Sequence, residues 1–194
     1  MDKPFASNAA LVLIDIQDGF DDPYWGKRNN AQAEANAARL LAAWRKSKRP
    51  VFHVQHLSLE DNSPLRADRV GSKLKDIVKP AEGEMLIGKH VNSAFIGTDL
   101  EARLRAAGIE ELVLAGLTTD HCVSTSTRMA GNLGFTTYIV HDACATFDRV
   151  APDGKKWTAD EIHSSALASL HGEFATAISS DEAIRKLVTH SVSV

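Results

Sequence analysis

The sequence contains no long apolar segment and no marked excess of charge of either sign. None of its apolar runs approaches the roughly 18 consecutive residues that a membrane-spanning helix needs. The first residues, 1–4, lack the cationic and apolar character of a signal peptide. The net charge is −3, whereas proteins that bind nucleic acid or anionic membranes favour a clustered basic face. We therefore expect no nucleic-acid partner and no membrane partner.

Cysteine is also scarce, since the 194 residues include only Cys122 and Cys144. Two cysteines in a chain of this length do not form the disulfide framework of a small secreted protein. A chain of this size buries enough surface to fold without such bonds. We expect a cytoplasmic location and one single domain over residues 1–194.

The sequence does contain a regular alternation of apolar, β-rich runs with amphipathic segments. Residues 9–16 form a near-continuous apolar run, which is typical of a strand buried in a parallel sheet. Residues 29–48 repeat apolar side chains at helical spacing. The same criteria predict strands at 50–57, 85–87, 111–116, 135–141 and 174–178, and helices at 98–107, 120–132, 158–170 and 179–188.

Strands that alternate with helices are joined by right-handed crossovers, which produce a parallel sheet. The sequence thus predicts an α/β, three-layer, Rossmann-like fold: a six-stranded, mainly parallel sheet with helices on both faces. Three of its helices are predicted to begin with a capping box. These boxes pair Thr98 with Glu101, Thr158 with Glu161, and Ser179 with Glu182.

Three reactive side chains stand at or just beyond the carboxyl ends of predicted strands: Asp15, Lys89 and Cys122. Ligands of open parallel sheets bind at this edge, and the long loops 17–28 and 58–84 leave it as pocket walls. Cys122 is predicted in the first turn of a helix, where the helix dipole favours a thiolate. A lysine nearby would lower the pKa of the thiol further, and a carboxylate could carry its proton to a leaving amine.

These residues lie within motifs that resemble one known family. The motifs are Asp15-Ile-Gln17 with Phe20 downstream, Lys89-His-Val-Asn-Ser-Ala-Phe95, Gly116-Leu-Thr-Thr-Asp-His-Cys-Val123, and the run from Thr127-Arg128 to Gly134-Phe135. From Leu11 to about Ser180 the chain resembles the isochorismatase-like cysteine hydrolases, which include nicotinamidases, N-carbamoylsarcosine amidases and biuret hydrolases.

The resemblance implies a role for each catalytic residue. Cys122 would attack the substrate carbonyl, Asp15 would act as general base and then acid, and Lys89 would stabilise both charged groups. The backbone N–H groups of Thr118 and Cys122 would form the oxyanion hole, and the Leu117–Thr118 peptide would be cis. The resemblance further implies a homo-oligomer, a dimer or a tetramer.

Other polar and aromatic residues near these motifs have less specific roles. We predict that Gln17, Phe20, Trp25 and His121 line the substrate pocket. His121 should not face the thiol of the next residue, because adjacent helical residues point about 100° apart. His141, with Asp142, is the alternative general base, and Cys144 is interpreted as a small buried hydrophobe.

A metal site is a separate question, which the histidines of the second strand raise. His53 and His56 lie three residues apart, so they should point to opposite faces of the strand. Nicotinamidases hold a metal near this position with an Asp-Trp-His arrangement, and this chain has no aspartate there. We predict no metal and no other cofactor.

The function predicted is hydrolysis of a carbon–nitrogen bond in a small-molecule amide, ureide or lactam, through a thioester on Cys122. Isochorismatase itself cleaves a vinyl ether, and those relatives lack the cysteine; that activity is the first alternative. A thiol redox or peroxide-sensing protein is an alternative from another class, because an exposed thiol of low pKa is also oxidisable. A binding domain without activity is a third.

Overall fold

The structure, a computed structural model, describes residues 3–187. The first five strands in chain order are β1 (Ala10–Ile14), β2 (Val51–His56), β3 (Met85–Lys89), β4 (Glu111–Leu117) and β5 (Thr136–Ala145). A short antiparallel hairpin follows, made of β6 (Arg149–Val150) and β7 (Lys156–Trp157), and β8 (Thr176–Ile178) is the last strand.

Six of these strands form one parallel sheet in the order β3-β2-β1-β4-β5-β8. Every pairing within it is parallel. The predicted α/β fold class is therefore confirmed. The hairpin β6–β7 was not predicted, because strands of two residues are too short to show a periodic pattern.

Five α-helices of the described residues cover the sheet: α1 (Ala33–Lys46), α2 (Leu100–Ala106), α3 (Ser124–Asn132), α4 (Ala159–Leu170) and α5 (Ser180–Lys186). Apolar residues of α1 and α5 pack on one face of the sheet, and those of α2, α3 and α4 pack on the other. Successive residues of β1 alternate between these two cores, with Leu11 and Leu13 in one and Val12 and Ile14 in the other. This alternation explains why β1 is apolar throughout. None of the helices within residues 3–187 has the length and apolarity to cross a membrane.

The predicted capping boxes have different outcomes. Those of α4 and α5 are present, with Thr158 and Ser179 accepting from the backbone N–H three residues on. The box at Thr98 is wrong, since α2 begins at Leu100 and its first residue follows Asp99 without a side-chain cap. The hydroxyl of Thr98 instead donates to the carbonyl of Ala94 at 2.6 Å. The predicted helix 179–188 ends beyond the described residues, so its last residue is not placed.

The prediction of a regular helix over 120–132 needs a correction at its start. Residues Thr119–Val123 form one wide turn of π-helix, and the α-helix begins only at Ser124. Such single π turns are frequent at functional sites. Cys122 therefore lies in an irregular turn ahead of α3.

The end of β4 approaches β1 unusually closely. Gly116 pairs with Ile14 and has a φ of +135°. A Cβ atom on this residue would lie 1.9 Å from the Ile14 carbonyl oxygen. Only glycine can occupy this position, which sets the path of the chain just before the π turn.

Candidate active site

Asp15, Lys89 and Cys122 converge at the carboxyl edge of the sheet. Asp15 follows β1 with a φ of +52°, a conformation that few residues other than glycine, asparagine and aspartate adopt. Lys89 is the last residue of β3, and its Nζ lies 2.6 Å from Oδ2 of Asp15 and 3.3 Å from Sγ of Cys122. The ammonium thus bridges a carboxylate and a thiol.

All three side chains are buried, and burial changes the proton affinity of the acid. Asp15 and Lys89 have no exposed side-chain surface. Burial raises the pKa of Asp15 above its ordinary value, although the charge and hydrogen bond of Lys89 oppose this rise. Asp15 consequently holds a proton more readily than an exposed aspartate would.

The thiol of Cys122 differs from the expectation drawn from the sequence. Burial raises its pKa, the negative charge of Asp15 raises it further, and Lys89 only partly offsets these effects. The expectation that its surroundings lower this pKa is therefore wrong for the protein without substrate. The direction of this shift favours the protonated thiol.

His56, at the end of β2, is a fourth member of the cluster. Its Nδ1 lies 3.1 Å from Nζ of Lys89. Burial, followed by the charge of Lys89, lowers the pKa of His56 to about 4, so the ring is neutral at physiological pH. Sequence reasoning considered His56 only as a metal ligand and missed this contact.

The two histidines of β2 contact different parts of the structure. His53 Nε2 bonds to Oε2 of Glu84 at 2.7 Å, away from His56. Ligand atoms of Asp15, His56 and Cys122 do lie within 4.8 Å of one another. The Nζ of Lys89 already contacts all three of these residues, and a metal ion bound by them would have to displace that ammonium.

Two buried oxygens near the thiol lack hydrogen-bond partners within residues 3–187: Oδ1 of Asp15 and Oγ1 of Thr118. The Leu117–Thr118 peptide bond is cis. Thr118 directly precedes the π turn that carries Cys122. Both atoms are exceptions to the rule that buried polar groups are paired.

Asn92 stands at the exposed side of the thiol. Its Oδ1 accepts from Sγ of Cys122 at 3.7 Å, and the residue itself is exposed to solvent. Sequence reasoning assigned it no role, although it lies only three residues after Lys89. That spacing was the available signal, since both residues leave the same strand end.

The four predicted pocket residues occupy different environments. Gln17 is fully buried, and its amide bonds to the backbone of His56 and Ser72. Gln17 therefore stabilises the backbone around His56, and its amide groups are already used in these hydrogen bonds.

Phe20 and Trp25 pack on each other, with ring centroids 5.0 Å apart, and both contact Phe147. This cluster also contains Leu117, the residue before the cis bond. Phe20 is buried and Trp25 is half-buried. His121 is exposed, with Nε2 3.4 Å from Oδ2 of Asp120.

The alternative base, His141, and the second cysteine, Cys144, both lie in β5. The carboxylate of Asp142 accepts from both the backbone N–H and the hydroxyl of Ser180 and so holds the start of α5. Cys144 is a free, fully buried thiol, and burial raises its pKa to about 12. Both observations fit structural roles.

Comparison with known proteins places this chain in a family. Residues 9–182 match the isochorismatase domain. The chain is 45% identical to the isochorismatase family protein YrdC of Bacillus subtilis, over 93% of this chain and 97% of YrdC. A solved structure of an isochorismatase-family protein from Chromobacterium violaceum is also 45% identical, with a TM-score of 0.92 over 96% of this chain and 98% of that one. N-carbamoylsarcosine amidase from Thermoplasma acidophilum has a TM-score of 0.70 and 26% identity, over 90% of this chain and 97% of that one. The chain belongs to the isochorismatase family, which comprises hydrolases.

Proposed function

We propose that this chain is a cysteine-dependent hydrolase that opens a carbon–nitrogen bond of a small-molecule amide, ureide or lactam. The observation that carries the proposal is the Lys89 ammonium, which contacts both the Asp15 carboxylate and the Cys122 sulfur inside a buried site. Covalent catalysis is expected to use a nucleophile, a base beside it and a third group that holds the base. Cys122, Asp15 and Lys89 would have these three roles.

The first half of the cycle forms a thioester. Sγ of Cys122 attacks the substrate carbonyl while its proton passes to Asp15, and Lys89 stabilises the negative charge during this transfer. The carbonyl oxygen becomes an oxyanion, for which the backbone N–H groups of Thr118 and Cys122 are the proposed donors. When the tetrahedral intermediate collapses, Asp15 returns the proton to the nitrogen and the carbon–nitrogen bond breaks. The amine then leaves from an amide or ureide, or stays attached to the acyl group of an opened lactam.

The second half regenerates the enzyme. Asp15 takes a proton from a water molecule, whose oxygen attacks the thioester carbon. The carbon–sulfur bond then breaks, the thiol regains its proton and the acid product leaves. A raised Asp15 pKa supports this double role, since one group must accept and donate a proton in each half.

The presence of a cysteine at position 122 favours amide chemistry over vinyl-ether cleavage, because the covalent route needs a nucleophile. The similarity to an N-carbamoylsarcosine amidase supports the same class of bond. The raised thiol pKa argues against the peroxide-sensing alternative, which requires a thiolate at rest.

A screen of small amides and ureides for release of ammonia or amine, and of lactams for the ring-opened amino acid, tests the proposal. With a substrate found in this way, we expect Cys122→Ser to lower kcat by at least about 10³-fold, because the acylation step is lost. Cys144→Ala is the matched control, since it removes the other buried free thiol, which has no role in the proposed cycle, and it should stay within about threefold. Undiminished turnover by the Cys122 variant would refute the thioester route.

A further inference from the structure

Among residues 3–187, three acceptors surround the ammonium of Lys89. An ammonium carries three N–H donors and no acceptor. The three neighbours are Oδ2 of Asp15 at 2.6 Å, Nδ1 of His56 at 3.1 Å and Sγ of Cys122 at 3.3 Å. The number of acceptors equals the number of donors, so the direction of each N–H bond is determined. Only His56 has no part in the reaction described above.

The ring of His56 is in the state that this contact requires. The nitrogen that faces an ammonium must be the one without a proton, so Nδ1 accepts and Nε2 carries the hydrogen. A hydrogen bond between the ring and the backbone of Val91 is consistent with this tautomer. Lys89 and His90 are the charged or titratable neighbours that disfavour protonation of His56.

The backbone of His56 is fixed as firmly as its ring. Gln17 Oε1 accepts from the His56 N–H, and Gln17 Nε2 donates to the His56 carbonyl, both at 2.9 Å. The same Nε2 also donates to the Ser72 carbonyl at 2.7 Å. A series of hydrogen bonds therefore connects Gln17 in the loop after β1 with His56 at the end of β2, and His56 with the ammonium of Lys89 on β3.

We propose that His56 is a positioning residue that acts through Lys89, holding the ammonium between the carboxylate of Asp15 and the sulfur of Cys122. This inference deepens the proposed function and rests on it, since it specifies how the lysine is kept in place. Without an acceptor at the position of Nδ1, one N–H of a buried ammonium would be unpaired. The lysine would then move away from the sulfur or lose a proton. Either change weakens the positive electrostatic potential that Lys89 produces at Sγ of Cys122.

The test measures the reactivity of the Cys122 thiol directly, so it needs no substrate. The rate of alkylation by iodoacetamide at pH 8.5 is followed by peptide mass spectrometry, with Cys122→Ser as the background. Below the thiol pKa this rate is proportional to the thiolate fraction, and one pKa unit corresponds to a tenfold change. We expect His56→Leu to slow alkylation about tenfold, and His56→Asn, whose Oδ1 can replace Nδ1 as acceptor, to stay within about threefold.

His53→Leu is the matched control, because His53 is a buried, hydrogen-bonded histidine on the same strand with its ring directed away from the cluster. It should lose stability in the same way yet alkylate at the wild-type rate. Equal slowing in the two leucine variants would show a general loss of packing and overturn the inference, as would an unchanged or faster rate in His56→Leu. If His56→Leu does not fold, His56→Asn is compared with His56→Gln, because the acceptor oxygen of glutamine lies one bond further from the backbone. Equal alkylation rates of Cys122 in these two variants would then overturn the inference.

The two proposals fail separately in these experiments. A slow leucine variant and a near-normal asparagine variant, in a protein that hydrolyses no amide, would support the positioning role and contradict the proposed function. Amide turnover that depends on Cys122, together with alkylation rates that do not change in the His56 variants, would support the proposed function and contradict the positioning role.

Discussion

At the scale of single residues, Thr118 and Thr119 provide a contrast between two neighbouring buried hydroxyls. Oγ1 of Thr119 bonds to Nδ1 of His163 at 2.8 Å. Oγ1 of Thr118 is buried without a partner in the part of the chain that the structure describes. An unpaired buried hydroxyl costs stability, whereas a paired one contributes to it.

We expect Thr118→Val to leave the free energy of unfolding unchanged or to raise it by up to about 1 kcal/mol, since it removes a hydroxyl that is buried but unpaired. Thr119→Val, the neighbouring control, should lower it by about 1–3 kcal/mol because it leaves the histidine nitrogen without its partner. Urea denaturation of both variants measures the difference. A loss of more than about 1 kcal/mol in Thr118→Val would mean that the hydroxyl has a partner in the folded protein.

The sequence allowed part of this site to be predicted. Asp15, Lys89 and Cys122 were placed at one edge because each ends or follows a parallel strand, and the structure brings them together. The state of the thiol could not be predicted, because burial depends on how neighbouring segments cover Cys122. The contact of His56 with Lys89 was missed for a related reason: strand periodicity gives the face of a residue but not the atom its ring meets.

At the scale of secondary-structure elements, the junction of β1 and β4 has the least tolerance for change. Gly116 combines a φ of +135° with a backbone carbonyl 1.9 Å from the position of a Cβ atom. Backbone atoms cannot move aside as the end of a flexible side chain can. The two central strands would have to separate to accommodate any side chain there.

We expect Gly116→Ala to lower the free energy of unfolding by at least about 4 kcal/mol or to prevent soluble expression, because it separates two paired central strands. Gly134→Ala is the control: its φ is +84°, but no atom lies within 4 Å of the added Cβ. The control should lose only about 1–2 kcal/mol, the cost of a left-handed conformation for alanine. Thermal unfolding of both variants tests this, and similar losses would contradict the steric argument.

The bounds of helices and strands were predicted well where the apolar pattern is strong. They were predicted poorly where local hydrogen bonds determine where an element begins or ends. The ends of β1 and β2 and the capping boxes of α4 and α5 agree with the sequence pattern to within two residues. The Thr98 box failed because that hydroxyl bonds backward to Ala94. The predicted fifth strand, 135–141, was too short because β5 continues to Ala145 past a register irregularity opposite β4, which no periodic pattern reveals.

At the scale of the whole molecule, Glu84 connects three separate parts of the fold. Its carboxylate accepts from Arg45 of α1 at 2.7 Å, from the Ala81 backbone in the loop before β3, and contacts His53 of β2. Arg45, the Ala81 N–H and His53 together hold the pKa of Glu84 near 2, below its ordinary value of 4.5.

Because the pKa is lower in the folded state than in the unfolded chain, Glu84 stabilises the fold above about pH 4.5, and this contribution is lost as the pH falls towards 2. We expect Glu84→Gln to lower the free energy of unfolding by about 2 kcal/mol at pH 7, with the difference from wild type shrinking below pH 4.5. Glu82→Gln, at an exposed position two residues earlier, should change it by less than about 0.5 kcal/mol. Denaturation at a series of pH values checks this, and a difference that persists at pH 2 would rule out the carboxylate as its source.

The six-stranded architecture was predictable because alternating strands and helices leave few ways to build one sheet. The predicted dimer or tetramer and the predicted cytoplasmic location stay predictions. Neither follows from the fold of one chain.

The buried lysine bridge has a consequence for the chain as it is synthesised. Its partners stand 74, 33 and 33 residues away from Lys89 along the chain, in segments that follow or end three other strands. A ribosome-bound chain that lacks β4 would carry the base, the ammonium and the imidazole without a nucleophile. The complete cluster can therefore form only after the turn that follows β4 has been added to the chain.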